Sequence, residues 1–345
     1  MGRPHQARFQ CFGASELIYL IANTRWYIEN FKASLQKNFE DQGLSHTVRV
    51  ISVSRKIFNL FRPFKRGDII LSFTSESNFI LGLYFLIFKK KNVHWIVTVN
   101  GLGRFSDNRL FRFLYSLIIV KSNYIFVQNH VDFAFFKKQA PNKISITMGS
   151  GVSRDFLVSR LQNEVYIDTL GFFGRFVKNK GLQEFIHLSA HLEEYRFLAI
   201  GGTASQISDL LSYNNFRSNL ILRQFTSNKK KVFDEIDVLL MLGSYGEGFP
   251  RVVLEAFARG VIVLSVQSRW TEGWLVNEVN SVVLPEITSE SIADALRLLR
   301  ANAELCCTIR ENAMNLLRQF GIAEDIDNQY LGTIRQVTSI SALLE

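Results

Sequence analysis

The chain has 345 residues, enough for two domains of ordinary size. With 47% apolar and 21% charged residues it is neither a disordered nor a fibrous sequence. A net charge of +9 suits phosphorylated ligands, anionic lipid or nucleic acid without choosing among them, and three cysteines with no Cys/His metal spacing exclude a disulfide scaffold and suggest a reducing, cytoplasmic compartment.

In chain order, the N-terminal residues lack the apolar run of a signal peptide. Apolar runs at 17–22, 47–53 and 68–73 read as strands, and 26–42 has helical periodicity, with Ile28, Phe31, Leu35 and Phe39 on one stripe. The run 79–88 reads as an apolar helix, followed by Lys89, Lys90 and Lys91. It is short of the roughly 20 residues that span a bilayer, so it is expected to be buried or interfacial, and the chain is not expected to cross a membrane. Strands follow at 94–99, 124–128 and 144–147, with a helix at about 109–121. Phenylalanines stand beside Lys or Arg at 58–66, 105–113 and 133–138, a mixture that suits a membrane surface better than a nucleic-acid groove.

The second half repeats this style, with strands at 169–173, 195–200, 219–223, 238–242 and 261–266 and helices at 180–192, 250–259 and 290–319. Alternating strands and helices predict parallel sheets covered on both faces. Two such halves, joined near 152–165, predict an α/β protein of two facing Rossmann-like domains with a cleft between them. Ligands in such sheets lie outside the carboxyl ends of the strands, where the glycine-bearing turns after 99, 147, 173, 200 and 242 fall.

The densest motif is Gly243-Ser-Tyr-Gly-Glu-Gly-Phe-Pro-Arg-Val-Val-Leu-Glu255, which follows a strand and opens a helix. Pro250 fits a first helical turn, and Gly246 and Gly248 allow close approach of a ligand. Free amides at the helix start favour a diphosphate. Glu247 can reach the cleft mouth, and a carboxylate at Glu255 could hold ribose hydroxyls. A second motif, Gly174-Arg-Phe-Val-Lys-Asn-Lys-Gly181, sets Arg175 and Lys180 after a strand, as a phosphate site requires.

These two motifs resemble those of glycosyltransferase family 4, retaining enzymes of the GT-B fold, over about 160–320. The resemblance implies that Arg175 and Lys180 bind a donor diphosphate, that Glu247 lies near the donor sugar and that Glu255 binds the ribose. Arg175, Lys180 and Glu247 become the expected catalytic residues. Gly174, Ser244, Gly248, Phe249, Pro250 and Glu255 complete the expected donor site. The implied domains are 1–160 for the acceptor, with a helix at about 324–345 packing back on it, and 161–323 for the donor.

In the first half, Ser72–Asn78, Thr98–Gly103, Gln128-Asn129 and Gly149–Val152 resemble a subgroup that extends polyprenyl-diphosphate-linked sugars in bacterial O-antigen, capsule or N-glycan assembly. That resemblance implies a UDP-sugar donor, a polyprenyl-diphosphate-linked saccharide acceptor and peripheral attachment to the inner face of the cytoplasmic membrane. Thr74, Asn100, Gly101, Gly103, Asn129 and His130 are the acceptor or cleft candidates. Departures from the family are Gly243 for its Pro, Gly246 for its basic residue, Gln267–Trp274 for its glycine-rich acidic loop and Asn280-Ser281 for Asn-Gly. Glu272 is a candidate replacement for the missing acid.

The expectation is no metal and no cofactor. His187 and His191 stand one helical turn apart with no third ligand, and Asp325-Ile-Asp327 falls on a helix rather than after a strand. No nucleic-acid motif is present, so nucleic acid is not an expected partner. Two alternatives stay open: a nucleotide-sugar 2-epimerase of similar fold, and a non-catalytic binding subunit.

Overall fold

A computed structural model describes residues 17–22, 47–52, 64–88, 93–102, 108–158, 166–213, 217–243 and 246–343, together with Lys32, Gln36 and Lys37. The first sheet holds β1 (Leu17–Ala22), β2 (Thr47–Ser52), β3 (Ile69–Phe73), β4 (His94–Val99), β5 (Tyr124–Val127) and β6 (Ile144–Ile146), in the order β2-β1-β3-β4-β5-β6. Helices α1 (Ser75–Ile87), α2 (Arg109–Ile119) and α3 (His130–Lys137) run between its strands.

The second half begins with β7 (Thr169–Phe173), α4 (Leu182–His191), β8 (Arg196–Gly202), α5 (Ala204–Tyr213), β9 (Leu220–Gln224) and α6 (Lys229–Phe233). It continues with β10 (Val238–Met241), α7 (Arg251–Ala258), β11 (Ile262–Val266), β12 (Val282–Leu284), α8 (Ser289–Ala301) and α9 (Ala303–Phe320). The second sheet has the order β12-β11-β10-β7-β8-β9. Every strand pairing among the described residues is parallel.

The strand sequences explain the layering. Strands β3 and β4 are buried at every position, which removes the polar alternation of a half-exposed sheet. In the second sheet Leu170, Phe197, Leu240 and Leu264 enter one apolar cluster, while Leu198, Ile200, Leu239 and Val263 enter the other. Alternate residues of each strand thus feed opposite faces, as the pleat requires.

Several elements differ from their sequence expectation. The expected helix at 290–319 is two helices, because Asn302 leaves helical geometry and its side chain accepts a bond from Leu305 N at 2.9 Å, capping α9. The helix expected at 79–88 begins earlier, at Ser75. Helices α3, α5 and α6 and the short strand β12 carried too little periodicity to be anticipated. The expected helix at 26–42 lies outside the described residues apart from Lys32, Gln36 and Lys37, which are helical.

The chain passes from the first sheet to the second at Val152 and returns beside it. Val152 N donates to Gly321 O at 2.9 Å, and Ala323 N donates to Val152 O at 3.0 Å. Helix α10 (Ala323–Leu343) then covers the first sheet. Its Ile326, Tyr330, Leu331 and Ile334 pack with Ile18, Leu20, Leu71 and Phe126, and Tyr330 Oη shares a hydrogen bond with Thr98 Oγ1 at 2.8 Å. Full burial of such side chains stabilises by roughly 1.5–3 kcal/mol each, so the tail is part of the first domain's core.

Candidate functional site

In the second sheet β7, β8 and β9 are laid down in one direction and β10, β11 and β12 in the other. The crevice outside the carboxyl ends of β7 and β10 is therefore the topological switch point, where open α/β sheets bind ligands. Arg175 and Lys180 follow β7, and Glu247 follows β10. Asn179 and Gly181, with φ of 67° and 92°, turn the first of these loops back onto the second. A Cβ on Gly181 would come within 2.7 Å of Gly243 N, and one on Gly243 within 2.7 Å of the Lys180 carbonyl carbon. Gly243 thus lets the two loops touch backbone to backbone.

This seating brings Lys180 Nζ onto Glu247 Oε1, with both side chains largely buried. Burial and the neighbouring Arg175 guanidinium pull the Lys180 ammonium down to about 8. The Glu247 carboxylate in contact with it works the other way. The Arg175 side chain is exposed and has no ion-pair or hydrogen-bond partner among the described residues. Two cations against one carboxylate leave positive charge at the crevice, suited to an anion with several phosphoryl oxygens.

Glu255 lies in the second turn of α7 and is 1% exposed. Its Oε1 accepts from Lys229 Nζ at 2.6 Å and from Arg251 Nε at 3.0 Å. Its Oε2 is buried with no hydrogen-bond partner. A buried acceptor left without a donor costs about 1–3 kcal/mol, which a ligand hydroxyl would relieve. Lys229 opens α6, where Asn228 caps the helix, and its ammonium also lies 5.5 Å over the Phe173 ring.

The facing wall comes from the first sheet and is largely backbone. Gly248 N donates to Asn100 O at 3.0 Å. Gly101 has a φ of 85°, and a Cβ there would lie 2.5 Å from Gly246 O and Gly248 N. Ser75 Oγ donates to Gly101 O at 2.7 Å. Thr74 holds a φ of 74°, a region that favours glycine, and its Oγ1 bonds Ser77 Oγ at 3.1 Å. Asn100 Oδ1 is buried without a partner.

A second contact between the two halves uses the loop at 267–274. Arg269 pairs with Asp132 at 2.8 Å, and Trp274 Nε1 donates to Gln128 O at 3.1 Å. The His130 ring meets Trp274 edge-on at 4.7 Å, and its Nε2 is buried without a partner. Burial lowers the His130 pKa, and the Glu272 carboxylate opposes that shift.

The expected site residues separate into groups. Arg175, Lys180, Glu247 and Glu255 gather at the second domain's switch point, with the Gly174 carbonyl packed against Gly201. Asn100, Gly101 and Gly248 meet across the cleft, with Thr74 next in chain to Ser75, whose hydroxyl holds Gly101, and His130 stands at the second contact. Asn129 opens α3: its Oδ1 accepts from Asp132 N at 2.7 Å and its Nδ2 donates to Asp132 Oδ2 at 2.8 Å, which leaves one amide hydrogen over. The Phe249 ring is buried against Trp270 and Trp274 in the second domain's core. Pro250 is the buried cap position before α7 rather than a residue of its first turn. Ser244 and Gly103 lie outside the described residues.

Lys229, Arg251, Asp132, Arg269 and Trp274 were not anticipated as site residues. Arg251 and Glu255 are four apart on one helix, a spacing that could have been read. Lys229 opens a Lys-Lys-Lys run, and nothing local singles out which lysine turns inward. His191 Nδ1 contacts the His187 carbonyl, and Asp325 pairs with Arg154 at 2.8 Å. Among the described residues no three His, Cys, Asp or Glu side chains are grouped to hold a metal.

Solved structures share this architecture. Sucrose-phosphate synthase from Thermosynechococcus elongatus superposes with a TM-score of 0.74 over 94% of this chain and 100% of its own, at 14% identity. HepE from Anabaena, solved with UDP, gives 0.68 over 93% and 100%, at 12% identity. A glycosyltransferase from Rickettsia africae gives 0.69 over 94% and 99%, at 13% identity. No curated protein sequence matches the chain. The two facing parallel sheets are those of the GT-B fold. Residues 165–316 match the family model for glycosyl transferases, group 1, and the chain that carries this domain is a glycosyltransferase.

Proposed function

We propose that the protein transfers a sugar from a UDP-sugar to a saccharide acceptor carried on a polyprenyl diphosphate, with retention of configuration, in the assembly of a bacterial surface polysaccharide or glycan. The observation that carries the donor reading is the pairing of surplus cations at Arg175 and Lys180 with a buried, donor-free Glu255 Oε2 at one switch point. Diphosphate and ribose need these two features side by side. HepE, similar in fold, has been solved with UDP-glucose as well as UDP.

In this reading Arg175 and Lys180 neutralise the charge that grows on the leaving diphosphate, the kind of stabilisation that is usually the largest catalytic contribution. The acceptor hydroxyl attacks the anomeric carbon on the face the diphosphate leaves. A bond forms from acceptor oxygen to anomeric carbon, the bond to the diphosphate breaks, and a phosphate oxygen takes the hydroxyl proton. Glu247 is held by Lys180, which disfavours its service as a nucleophile in a double displacement. No metal is required, because the two side chains supply the positive charge.

The test is incubation of the full chain with a panel of UDP-sugars and a synthetic prenyl-diphosphate sugar in chelator-containing buffer, read by mass spectrometry. One added sugar on the prenyl acceptor is expected. An epimerised UDP-sugar formed without acceptor would establish the 2-epimerase alternative instead. Tight UDP binding with no turnover on any acceptor would establish a non-catalytic subunit.

A further inference from the structure

Helices α1 and α2 pack together where a Cβ on Gly82 would overlap the Ile118 side chain, with Phe79 on Phe111 at 5.8 Å. Their inward residues, including Leu81, Phe85, Tyr115 and Ile119, join the first domain's core. Their outward residues are also apolar. On α2, Leu110, Phe113, Leu114 and Leu117 are exposed at positions i, i+3, i+4 and i+7, and Leu110 is 67% exposed. This is the spacing of a buried stripe, on the solvent side of the helix. At the end of α1, Leu83, Leu86, Ile87 and Phe88 are exposed too, Ile87 to 72%. The two exposed sets lie on helices that pack directly against each other, through Gly82 on Ile118 and Phe79 on Phe111. Soluble proteins rarely leave such a face uncovered.

The charge is mostly of one sign. In the described residues of the two helices and their flank, Arg109, Arg112 and Lys121 stand against one acid, Glu76 at the start of α1, and the sequence between the helices carries Lys89, Lys90, Lys91 and Arg104 against Asp107. Neither helix, of 13 and 11 residues, is long enough to span a bilayer. Among the described residues no helix is long and apolar enough to do so. Apolar side chains with cations beside them are the composition of a segment lying in a lipid interface. A second copy of the same face would set like charges against each other, whereas an anionic lipid surface complements them.

We propose that the outer face of α1 and α2 lies on an anionic lipid surface, its Leu, Ile and Phe side chains in the headgroup boundary and its cations against lipid phosphates. Helix α1 starts at the cleft. Ser75, first in α1, holds Gly101 O through its hydroxyl, and α2 follows the Asn100–Leu102 turn in the chain. Docking through this face therefore sets the cleft's first-domain wall close to the lipid plane. The inference deepens the lipid-linked acceptor reading, and vesicles free of any prenyl diphosphate separate the two.

The experiment is flotation of the full chain with vesicles of phosphatidylcholine alone or mixed with phosphatidylglycerol. Binding to the mixed vesicles is expected to be at least about tenfold stronger, and to weaken as salt is raised. The variant Leu110→Glu/Phe113→Glu/Leu117→Glu should lose at least about tenfold in vesicle binding while its UDP affinity, measured by calorimetry, is unchanged. Failure of the wild-type chain to float with anionic vesicles overturns the proposal, as does unchanged flotation of the triple variant. A dimer in light scattering that the triple variant dissolves, with no lipid binding, also overturns it, in favour of a second copy. Vesicle binding without transfer to a prenyl-diphosphate acceptor supports the docking face and defeats the acceptor reading alone.

Discussion

The second-domain wall of the cleft is made of charged side chains, Arg175, Lys180, Glu247 and Glu255, whereas the first-domain wall meets it with Asn100 O, the α-carbon of Gly101 and Gln128 O. One wall recognises by charge and the other by fit. Removing a charge from the first should weaken one ligand's binding or the chemistry, with the fold kept. Adding a single carbon to the second should disturb the approach of the domains while leaving donor affinity alone. The contrast is that of a site written in side chains and a site written in backbone.

The largest effect is expected from Arg175→Ala. The side chain is exposed and unpaired, so thermal unfolding should be unchanged. Turnover should fall by roughly 10²–10³-fold, the usual result of removing one donor to a developing oxyanion. Near-normal turnover would remove Arg175 from the chemistry.

Gly101→Ala probes the opposite wall. The added carbon meets backbone of Gly246 and Gly248, and the left-handed φ of 85° disfavours any side chain. A shift of about 1 Å between the walls should cost on the order of 100-fold in kcat/KM. UDP affinity should remain within about twofold, and a parallel loss of UDP binding would break the distinction between the walls.

Glu255→Gln keeps shape but removes the charge facing Lys229 and Arg251, and it offers a weaker acceptor to a ligand hydroxyl. The UDP dissociation constant should rise by about 10-fold, from a loss of roughly 1.5 kcal/mol. Calorimetry with UDP and with 2′,3′-dideoxy-UDP would show the two proteins converging on the dideoxy ligand if the ribose is what Glu255 holds.

The pH dependence sharpens the charge reading further. With its pKa lowered to about 8, Lys180 is an ammonium below that pH and a neutral amine above it. UDP affinity should therefore weaken as pH rises through about 8, by at most about tenfold per unit for one proton. Lys180→Arg should flatten that profile, because arginine stays charged throughout. An unchanged slope in Lys180→Arg would assign the titration to another group.

The smallest effect concerns the second contact. Arg269→Ala frees the buried Asp132 from its partner in the other domain. A cost of about 1 kcal/mol is expected, since Asn129 continues to hold Asp132. Hydrogen exchange should quicken at 268–275, with UDP affinity unaffected.

The two-sheet architecture was legible because buried parallel strands are nearly continuous apolar runs, such as Ile69–Phe73 and His94–Val99. The meeting of Lys180 with Glu247 was legible because the charges stand at fixed spacing around glycines and a helix start. The break at Asn302 was not, because a cap competes with helix propensity over only one residue. Lys229 was hidden in a run of like residues, and its role comes from the sheet order that carries α6 to α7. The Arg269–Asp132 and Trp274–Gln128 contacts join positions more than a hundred residues apart, which no local period encodes. Asn129 and Phe249 show that a motif residue also serves the fold: the first caps α3 and the second sends its ring into the core, neither of which a local pattern encodes.

The central claim is that Arg175 and Lys180 form the diphosphate site of the second domain. Calorimetric titration of UDP into the full chain and into Arg175→Ala/Lys180→Ala tests it most directly. Charge-assisted bonds of about 1.5–3 kcal/mol each predict at least about 100-fold weaker binding in the double variant, at unchanged thermal stability. Equal affinity in the two proteins would contradict it and would place the nucleotide elsewhere.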